Sequence, residues 1–122
     1  MMQTLFQMET LKEFTPEKAA AICQETIDKK EQARAEKILT SIANNVEDID
    51  ETINACSPKW KTHRMPKVDL AILRLAIGES RYADDVSNAV VVSEAINLAK
   101  KFSTDQSASF VHGVLGAVLK DE

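Results

Sequence analysis

Apolar residues recur at helical spacing along the first half of the chain. Leu5, Met8 and Leu11 share one helical face, and the same spacing of three and four residues returns three times before residue 57. The later faces comprise Ala19, Ile22, Cys23 and Ile27, then Ala35, Ile38, Leu39 and Ile42, then Ile49, Ile53 and Cys56. This period predicts four amphipathic helices, each with one buried face.

The second half begins with a segment of a different kind. Between Leu70 and Ile77 only Arg74 is not apolar, so this helix has to be covered on most sides and should lie at the centre of the fold. Two amphipathic faces follow, formed by Val91, Ala95, Leu98, Ala99 and Phe102 and by Val111, Val114, Leu115, Val118 and Leu119. We therefore expect an all-α bundle of about seven helices.

Residues that favour helix ends mark several boundaries. Thr15-Pro16 is typical of a helix start. The threonine side chain can cap the first turn, and proline at the first helical position costs no hydrogen bond, because the N–H there would have no partner within the helix. Asn44-Asn45 and Ser57-Pro58 are typical of helix ends. Ser87 and the Ser103-x-x-Gln106 capping box predict the starts of the last two helices.

Composition supports a single helical domain over residues 1–122, with helix sets at about 1–57 and 66–119. The chain has 122 residues but only three glycines and three prolines, which leaves little turn material for a sheet. Gly113 and Gly116 interrupt the last helix, so we expect a close helix crossing there. No apolar run reaches the ~20 residues that cross a bilayer, so a soluble, cytoplasmic protein without a membrane partner is expected. Cys23 and Cys56 should be reduced thiols.

Few residues suggest catalysis. The sequence holds two histidines, His63 in a basic loop and His112 in a mostly apolar helix, where a surface role and a packing role are expected. No glycine-rich phosphate loop, HExxH pair or Gly-x-Ser-x-Gly elbow occurs. We therefore expect no enzyme, no cofactor and no metal site.

Charge is unevenly distributed, although the net charge is only −4. Negative charge concentrates at Glu47, Asp48, Asp50 and Glu51. Positive charge follows at Lys59, Lys61, Arg64 and Lys67. This basic loop is either an ordinary solvated surface or a surface for a partner, and its place between two apolar helices makes the partner surface the sharper alternative.

Two residues in this region need a structural explanation. Arg74 interrupts a buried helix and requires an acidic partner from another helix, for which Glu94 is the candidate. Trp60 precedes the basic loop and either stacks on an RNA base or fills the core, and we favour the core.

Three pieces of the second half occur in an order that is similar to a known family. They are Trp60-x3-Arg64-x-Pro66-x2-Asp69-x3-Leu73-Arg74-x-Ala76-x2-Glu79, Glu94-Ala95-x2-Leu98-Ala99-Lys100 and Phe110-Val111-His112-Gly113-Val114-Leu115. Together they resemble the NusB family of transcription antitermination factors. The resemblance implies three- and four-helix sub-bundles that share a core. It also implies a non-enzymatic adaptor that binds boxA RNA together with the ribosomal protein NusE, in the antitermination complex of RNA polymerase.

The resemblance also implies an RNA-binding surface. Its residues here would be Phe6, Lys61, Arg64, Lys67, Lys100, Lys101, Gln106 and Ser107. In the family an arginine-rich segment precedes the first helix, whereas only Met1-Met2-Gln3 precedes the matching Thr4-Leu5-Phe6-Gln7 here. We therefore expect weakened boxA binding.

Four positions differ from the family pattern. Phe6 replaces a tyrosine, Gln106 an acid, His112 an asparagine, and Gly78 a larger residue, usually tyrosine. At Gly78 we expect either a gap or an intruding neighbour.

The resemblance implies that NusE docks on the second helical set. The surface here would include Asp69 as an exposed rim acid and exposed positions near Glu79 and Arg81. The oligomeric state is open between monomer and homodimer. Two other functions remain open: an RNA-binding accessory domain of a ribosomal RNA cytosine methyltransferase, and a helical protein-interaction module without an RNA role.

Overall fold

The computed structural model describes residues 1–119, which form seven α-helices and one short 3-10 turn, Thr62–Arg64, with no strand. The helices are α1 (Met2–Leu11), α2 (Pro16–Thr26), α3 (Lys29–Asn44), α4 (Val46–Cys56), α5 (Lys67–Tyr82), α6 (Asn88–Phe102) and α7 (Asp105–Val118). The predicted all-α class and number of helices are confirmed. None of the helices in this described part combines the length and apolar character needed to cross a bilayer.

Several predicted helix ends are confirmed. The Thr15 hydroxyl accepts a hydrogen bond from the Lys18 backbone N–H at 3.1 Å, and Pro16 is the first residue of α2. Ser87 caps α6 in the same way. α3 and α4 end at Asn44 and Cys56. At the starts of α2 and α6, local side-chain chemistry therefore decides the boundary.

The predicted capping box before α7 is wrong by one residue. The cap is Thr104, whose hydroxyl accepts from the Ser107 N–H at 3.0 Å. Ser103 instead closes the preceding helix, because its own N–H donates to the Ala99 carbonyl at 2.8 Å.

Helix α5 forms the centre of the fold, as its pattern predicts. All side chains from residue 69 to residue 79 are buried. The helix packs against α1, α3, α4, α6 and α7, while α2 covers α1 and α3 from outside. Helix α4 packs more against α5 and α7 than against α3, so its contacts group it with the later helices.

The glycines divide into one tight position and two open ones. A Cβ added to Gly78 would lie 2.3 Å from Ile42 Cδ1, so α3 approaches α5 closely only because this side chain is missing. The expected intruding neighbour at Gly78 is therefore Ile42. Gly113 and Gly116 have nothing within 4 Å of an added Cβ, and the predicted close crossing there is wrong. His112 is exposed on the same stretch of α7, so its predicted packing role is also wrong.

The two cysteines are free thiols, as expected. Cys23 is buried and Cys56 is partly buried. Burial raises the pKa of the Cys23 thiol, so this side chain stays protonated and behaves as a small apolar residue.

Candidate nucleic-acid and protein interface

The basic loop between α4 and α5 has a fixed backbone. Asn54 on α4 holds it, because its side-chain oxygen accepts from the Thr62 N–H at 2.8 Å and its carbonyl accepts from Lys61 Nζ at 3.0 Å. Thr62 and Met65 are buried and fix the loop to the core. The cations of the loop are thereby presented on an ordered segment.

Trp60 lies outside the core, contrary to the prediction. Its side chain is 53% exposed. The Ser57 hydroxyl donates to the Trp60 carbonyl at 2.6 Å, which holds the turn around Pro58 with the indole outward. Met65 occupies the core position in this loop instead, since it is almost fully buried.

The loop, the start of α5 and the start of α7 line an open cavity of about 470 Å³, which we call the α5–α7 cavity. Its lining includes Trp60, Arg64, Asp69, Gln106, Ser107 and Phe110. Three of the predicted RNA-binding residues, Arg64, Gln106 and Ser107, therefore lie around one concave site. Lys61 and Lys67 are exposed on the same loop and at the first position of α5.

Asp69 lies at this cavity but is not the exposed rim acid that was predicted. Only 2% of the residue is exposed, and its Oδ1 atom is buried with no hydrogen-bond partner. Asp69 belongs to the first turn of α5, where the helix dipole favours a negative charge. The dipole accounts for an acid at this position, but it supplies no hydrogen bond to the buried oxygen.

The remaining predicted RNA-binding residues lie elsewhere. Phe6 is exposed on α1 and does not line the α5–α7 cavity. Lys100 and Lys101 are exposed near the end of α6, and Lys101 Nζ lies 5.2 Å from the centre of the Phe102 ring. The structure thus gathers part of the predicted set and leaves the rest dispersed.

A second cavity of about 880 Å³ lies further along α5, where α1, α3, α5 and α6 meet. Its lining includes Met2, Arg34, Glu79, Glu94, Lys101 and Phe102. Acidic and basic side chains face each other across an apolar floor here, and we call this space the α1–α6 cavity.

Glu79 is buried at this cavity, so its predicted exposure is wrong. Arg34 Nη2 donates to Glu79 Oε2 at 3.3 Å and also binds Asp85 at 3.1 Å, while Arg34 Nε donates to Asp85 at 2.8 Å. Burial raises the pKa of Glu79, and Arg34 offsets only part of that rise. Asp69 and Glu79 are ten residues apart on α5, or about 15 Å along the helix.

Arg81, the third residue predicted to contact a protein partner, is exposed on the α4 side of α5. It donates to the Thr52 hydroxyl at 2.9 Å and lies 3.4 Å from an Asp48 carboxylate oxygen. The three predicted partner residues therefore face different surroundings.

Arg74 has acidic partners from other helices, but Glu94 is not one of them. Arg74 Nη1 donates to Glu9 Oε1 at 3.1 Å, and its Nε and Nη2 atoms bind Asp50 at 2.9 and 2.7 Å. The Phe14 ring stacks below the guanidinium at 4.8 Å. The prediction of Glu94 is wrong because that side chain is exposed on α6.

The sequence did contain a signal for the true partners of Arg74. Glu9 lies four residues after Leu5, and therefore on the buried face of α1. Asp50 lies next to buried Ile49 and three residues before Ile53. Glu9 and Asp50 are each in phase with a buried apolar face, but Glu94 also lies three residues after Val91, so helical phase alone does not single out the partners of Arg74.

Within residues 1–119, no group of three or more His, Cys, Asp or Glu side chains is arranged to hold a metal ion.

Similar proteins agree on one family. The family model described as "NusB family" matches residues 1–120. The transcription antitermination protein NusB of Clostridium novyi is 49% identical over 84 residues, which cover 69% of this chain and 63% of that protein. The chain thus matches less than two-thirds of the length of that relative. The protein of the same name from Acetivibrio thermocellus is 38% identical over 98% of this chain and 83% of its own length.

Solved structures agree with the sequence matches. T. maritima NusB superposes with a TM-score of 0.87 at 34% identity, over 99% of this chain and 86% of that one. A chain in the crystal structure of a plectonemic RNA supercoil gives a TM-score of 0.84 at 24% identity, over 98% and 88% of the two chains, a likeness of fold alone. The matched length, the identities and the superposition together lead to one conclusion: this chain belongs to the NusB family.

Proposed function

We propose that this protein is a transcription antitermination adaptor that binds the boxA element of ribosomal RNA transcripts jointly with the ribosomal protein NusE. The observation that carries the proposal is the family match over residues 1–120, with relatives that are transcription antitermination proteins. The adaptor would act within the antitermination complex of RNA polymerase, as a binding protein rather than a catalyst.

The basic loop supports the RNA part of the proposal. Lys59, Lys61, Arg64 and Lys67 are all exposed, and Arg64 lines the α5–α7 cavity. Cations on an ordered loop beside a concave site with an exposed aromatic ring suit single-stranded RNA, since phosphates and bases can be bound side by side.

Charge also supports the protein part of the proposal. The chain carries a net charge of −4, while ribosomal proteins are commonly basic, so electrostatic attraction would speed the encounter with NusE. Asp48, an exposed acid at the start of α4, lies close to Arg81, whereas the basic loop follows the other end of that helix. RNA and protein could therefore be held at the same time.

The test measures binding of boxA RNA to this protein, with and without NusE, over a range of salt concentrations. We expect weak binding by the protein alone and tighter binding when NusE is present. Replacing Lys61 and Lys67 by alanine should reduce the slope of log K against log salt by about 1.4, because each lost phosphate contact on a single strand contributes about 0.7.

A matched control replaces Lys29 and Lys30, two exposed lysines at the start of α3, by alanine. This variant loses the same charge and should keep the wild-type slope. Equal slopes for the two variants would show that the loop makes no phosphate contacts. Failure of boxA RNA to bind under any condition, together with no association with NusE, would overturn the proposed function.

A further inference from the structure

The α1–α6 cavity combines an apolar floor with a size suited to a small ligand. Leu75 and Ala76 of α5 and Val91 and Leu98 of α6 contribute to the floor, and each of them is buried or partly buried. The volume of about 880 Å³ falls within the ~300–1,000 Å³ range of small-molecule sites. A hydrocarbon chain that lies on this floor would lose contact with water, which favours binding.

The wall of the cavity carries more acidic than basic side chains. The acids are Glu31, Glu79, Asp85 and Glu94, and the bases are Arg34 and Lys101. Arg34 is already bound to Glu79 and Asp85, so its charge is not free for a further anion. The excess of carboxylates therefore favours a cationic ligand.

Glu79 is a buried carboxylate with an incomplete set of partners. It is 6% exposed, and its one hydrogen bond within residues 1–119 comes from Arg34 Nη2 to Oε2 at 3.3 Å, which leaves Oε1 without a donor. Burial raises the pKa of Glu79 most, and the charge of Glu94 on α6 raises it further. The Met1 amino group attracts Glu79 but donates no hydrogen bond to it, and burial lowers the pKa of that amine. A further cation close to Glu79 and Glu94 would stabilise both charges.

An aliphatic diamine matches these features better than other cations do. A metal ion lacks ligands, because no group of three or more His, Cys, Asp or Glu side chains within the described residues could hold one. A lysine side chain from a protein partner carries a single ammonium group and would leave Glu79 or Glu94 without a partner. A diamine has one ammonium group for each acid and a hydrocarbon chain for the floor.

We propose that the α1–α6 cavity binds a free aliphatic diamine, with one ammonium group at Glu79, the other at Glu94 and the hydrocarbon chain on the floor formed by α5 and α6. The cavity shares no lining residue with the α5–α7 cavity. This inference therefore goes beyond the proposed function and does not depend on it. A bound diamine would connect α5 to α6 and stabilise the fold, because it binds the folded state only.

Amide chemical shifts report the binding site directly. Cadaverine, a five-carbon diamine, is titrated into isotope-labelled protein at low ionic strength, and two-dimensional NMR spectra follow the backbone amides. We expect saturable shifts centred on the cavity, at Leu75, Glu79, Val91 and Glu94. Pentylamine has one ammonium group and should bind about tenfold more weakly, because a hydrogen bond between charged groups contributes about that factor. Pentanediol, which has the same chain without charge, should cause no saturable shift.

Glu94→Gln separates the two ammonium contacts. It should lower the affinity for cadaverine about tenfold, to that of pentylamine, and it should leave pentylamine binding unchanged, since the single ammonium group stays at Glu79. Glu25→Gln is the matched control, because it removes the same charge from an exposed side chain of α2 that does not line the cavity. This variant should bind cadaverine as the wild type does. The comparison of the three ligands uses wild-type protein, so it tests the site even where a variant fails to fold.

Four results would overturn the diamine site. Cadaverine could cause no saturable shift, or it could bind with the same affinity as pentylamine, which would show that the second acid takes no part. Shifts at exposed acids such as Asp48 that equal those at the cavity would indicate general charge screening. Displacement of cadaverine by NusE, with NusE shifting the same amides, would assign the cavity to a basic side chain of a protein partner. None of these measurements uses RNA, so the proposed binding of boxA RNA is tested separately.

Discussion

Two arginines each hold two carboxylates in this molecule, yet they lie in very different surroundings. Arg74 is 5% exposed and joins α5 to Glu9 of α1 and Asp50 of α4, with an aromatic ring beneath it. Arg34 is 31% exposed and joins α3 to Glu79 of α5 and to Asp85 in the loop before α6. One arginine with two carboxylates thus joins buried parts of three helices in the first case, and it lies at the wall of the α1–α6 cavity in the second.

The buried carboxylates of the two groups respond in opposite directions. Burial acts to raise the pKa of Glu9, but its hydrogen bonds to Lys12 and Arg74 outweigh burial, and the pKa is lowered. Burial raises the pKa of Glu79, and Arg34 compensates only in part. Two cations close to one carboxylate stabilise its charge more than burial disfavours it, whereas one shared cation does not.

The largest effect should come from Arg74→Ala. This change leaves Glu9 and Asp50 without their shared cation inside the protein, and we expect a loss of about 3–5 kcal/mol in the free energy of unfolding. Denaturant melts measure it. Glu94→Ala removes an exposed acid as a control and should change stability by less than about 0.5 kcal/mol. A similar loss in both variants would return Glu94 to consideration as the partner.

Glu9→Gln should have the next largest effect, about 2 kcal/mol at neutral pH, because it weakens hydrogen bonds to charged groups. The pKa of Glu9 is lowered on folding, so its contribution is complete above the ordinary value of 4.5 and is lost as the pH falls through the folded-state pKa. Melts from neutral to acidic pH should therefore show the wild type and the variant converging in acid. A constant difference would mean that Glu9 acts through its shape and not its charge.

Arg34→Ala should cost less, about 1 kcal/mol at neutral pH, since the arginine is partly exposed. Without Arg34 the pKa of Glu79 rises further. A raised carboxyl pKa lowers stability as the pH rises from the ordinary 4.5 through the folded-state value. The loss should therefore be full at neutral pH and shrink below about pH 4.5, which melts at several pH values would measure. A loss as large as that of Arg74→Ala would erase the distinction between the two arginines.

The smallest effect is expected for Asp85→Asn. Asp85 is exposed, and the hydrogen bond from Arg34 lowers its pKa, but water can replace that partner. The change in melting midpoint should be smaller than for Arg34→Ala and should vanish at high salt, where surface pairs are screened. An effect that persists at high salt would show that Asp85 positions the loop before α6.

The sequence predicted most of the fold because helix formation is governed by local patterns. The spacing of Ala35, Ile38 and Ile42 alone specifies the face of α3, and Thr15-Pro16 alone specifies the start of α2. The uninterrupted apolar stretch around Leu73 placed α5 at the centre, because such a helix has no polar face for solvent.

The site could be predicted only in part, because its contacts depend on how the helices are rotated against each other. Arg64 and Gln106 were correctly expected to be polar surface positions, but their meeting at one cavity with Asp69 is a tertiary result. The sequence does not predict the burial of Asp69 and Glu79, because acidic side chains are rarely buried in proteins. Both are nevertheless buried here, each at the wall of a cavity. Trp60 is wrongly predicted to lie in the core for the converse reason, because large apolar side chains are usually buried.

The burial of α5 on every side has a consequence for the motions of the protein. Backbone amides exchange their hydrogens with solvent only when a segment opens, and a helix covered by five others cannot open without disturbing them. The amides in the middle of α5 should therefore exchange only through global unfolding, whereas those of α2, which packs mainly against α1 and α3, exchange through smaller openings. The middle of α5 would then be a slow-exchanging segment at the centre of the protein. The α5–α7 cavity lies at the start of this helix, and the α1–α6 cavity lies further along it.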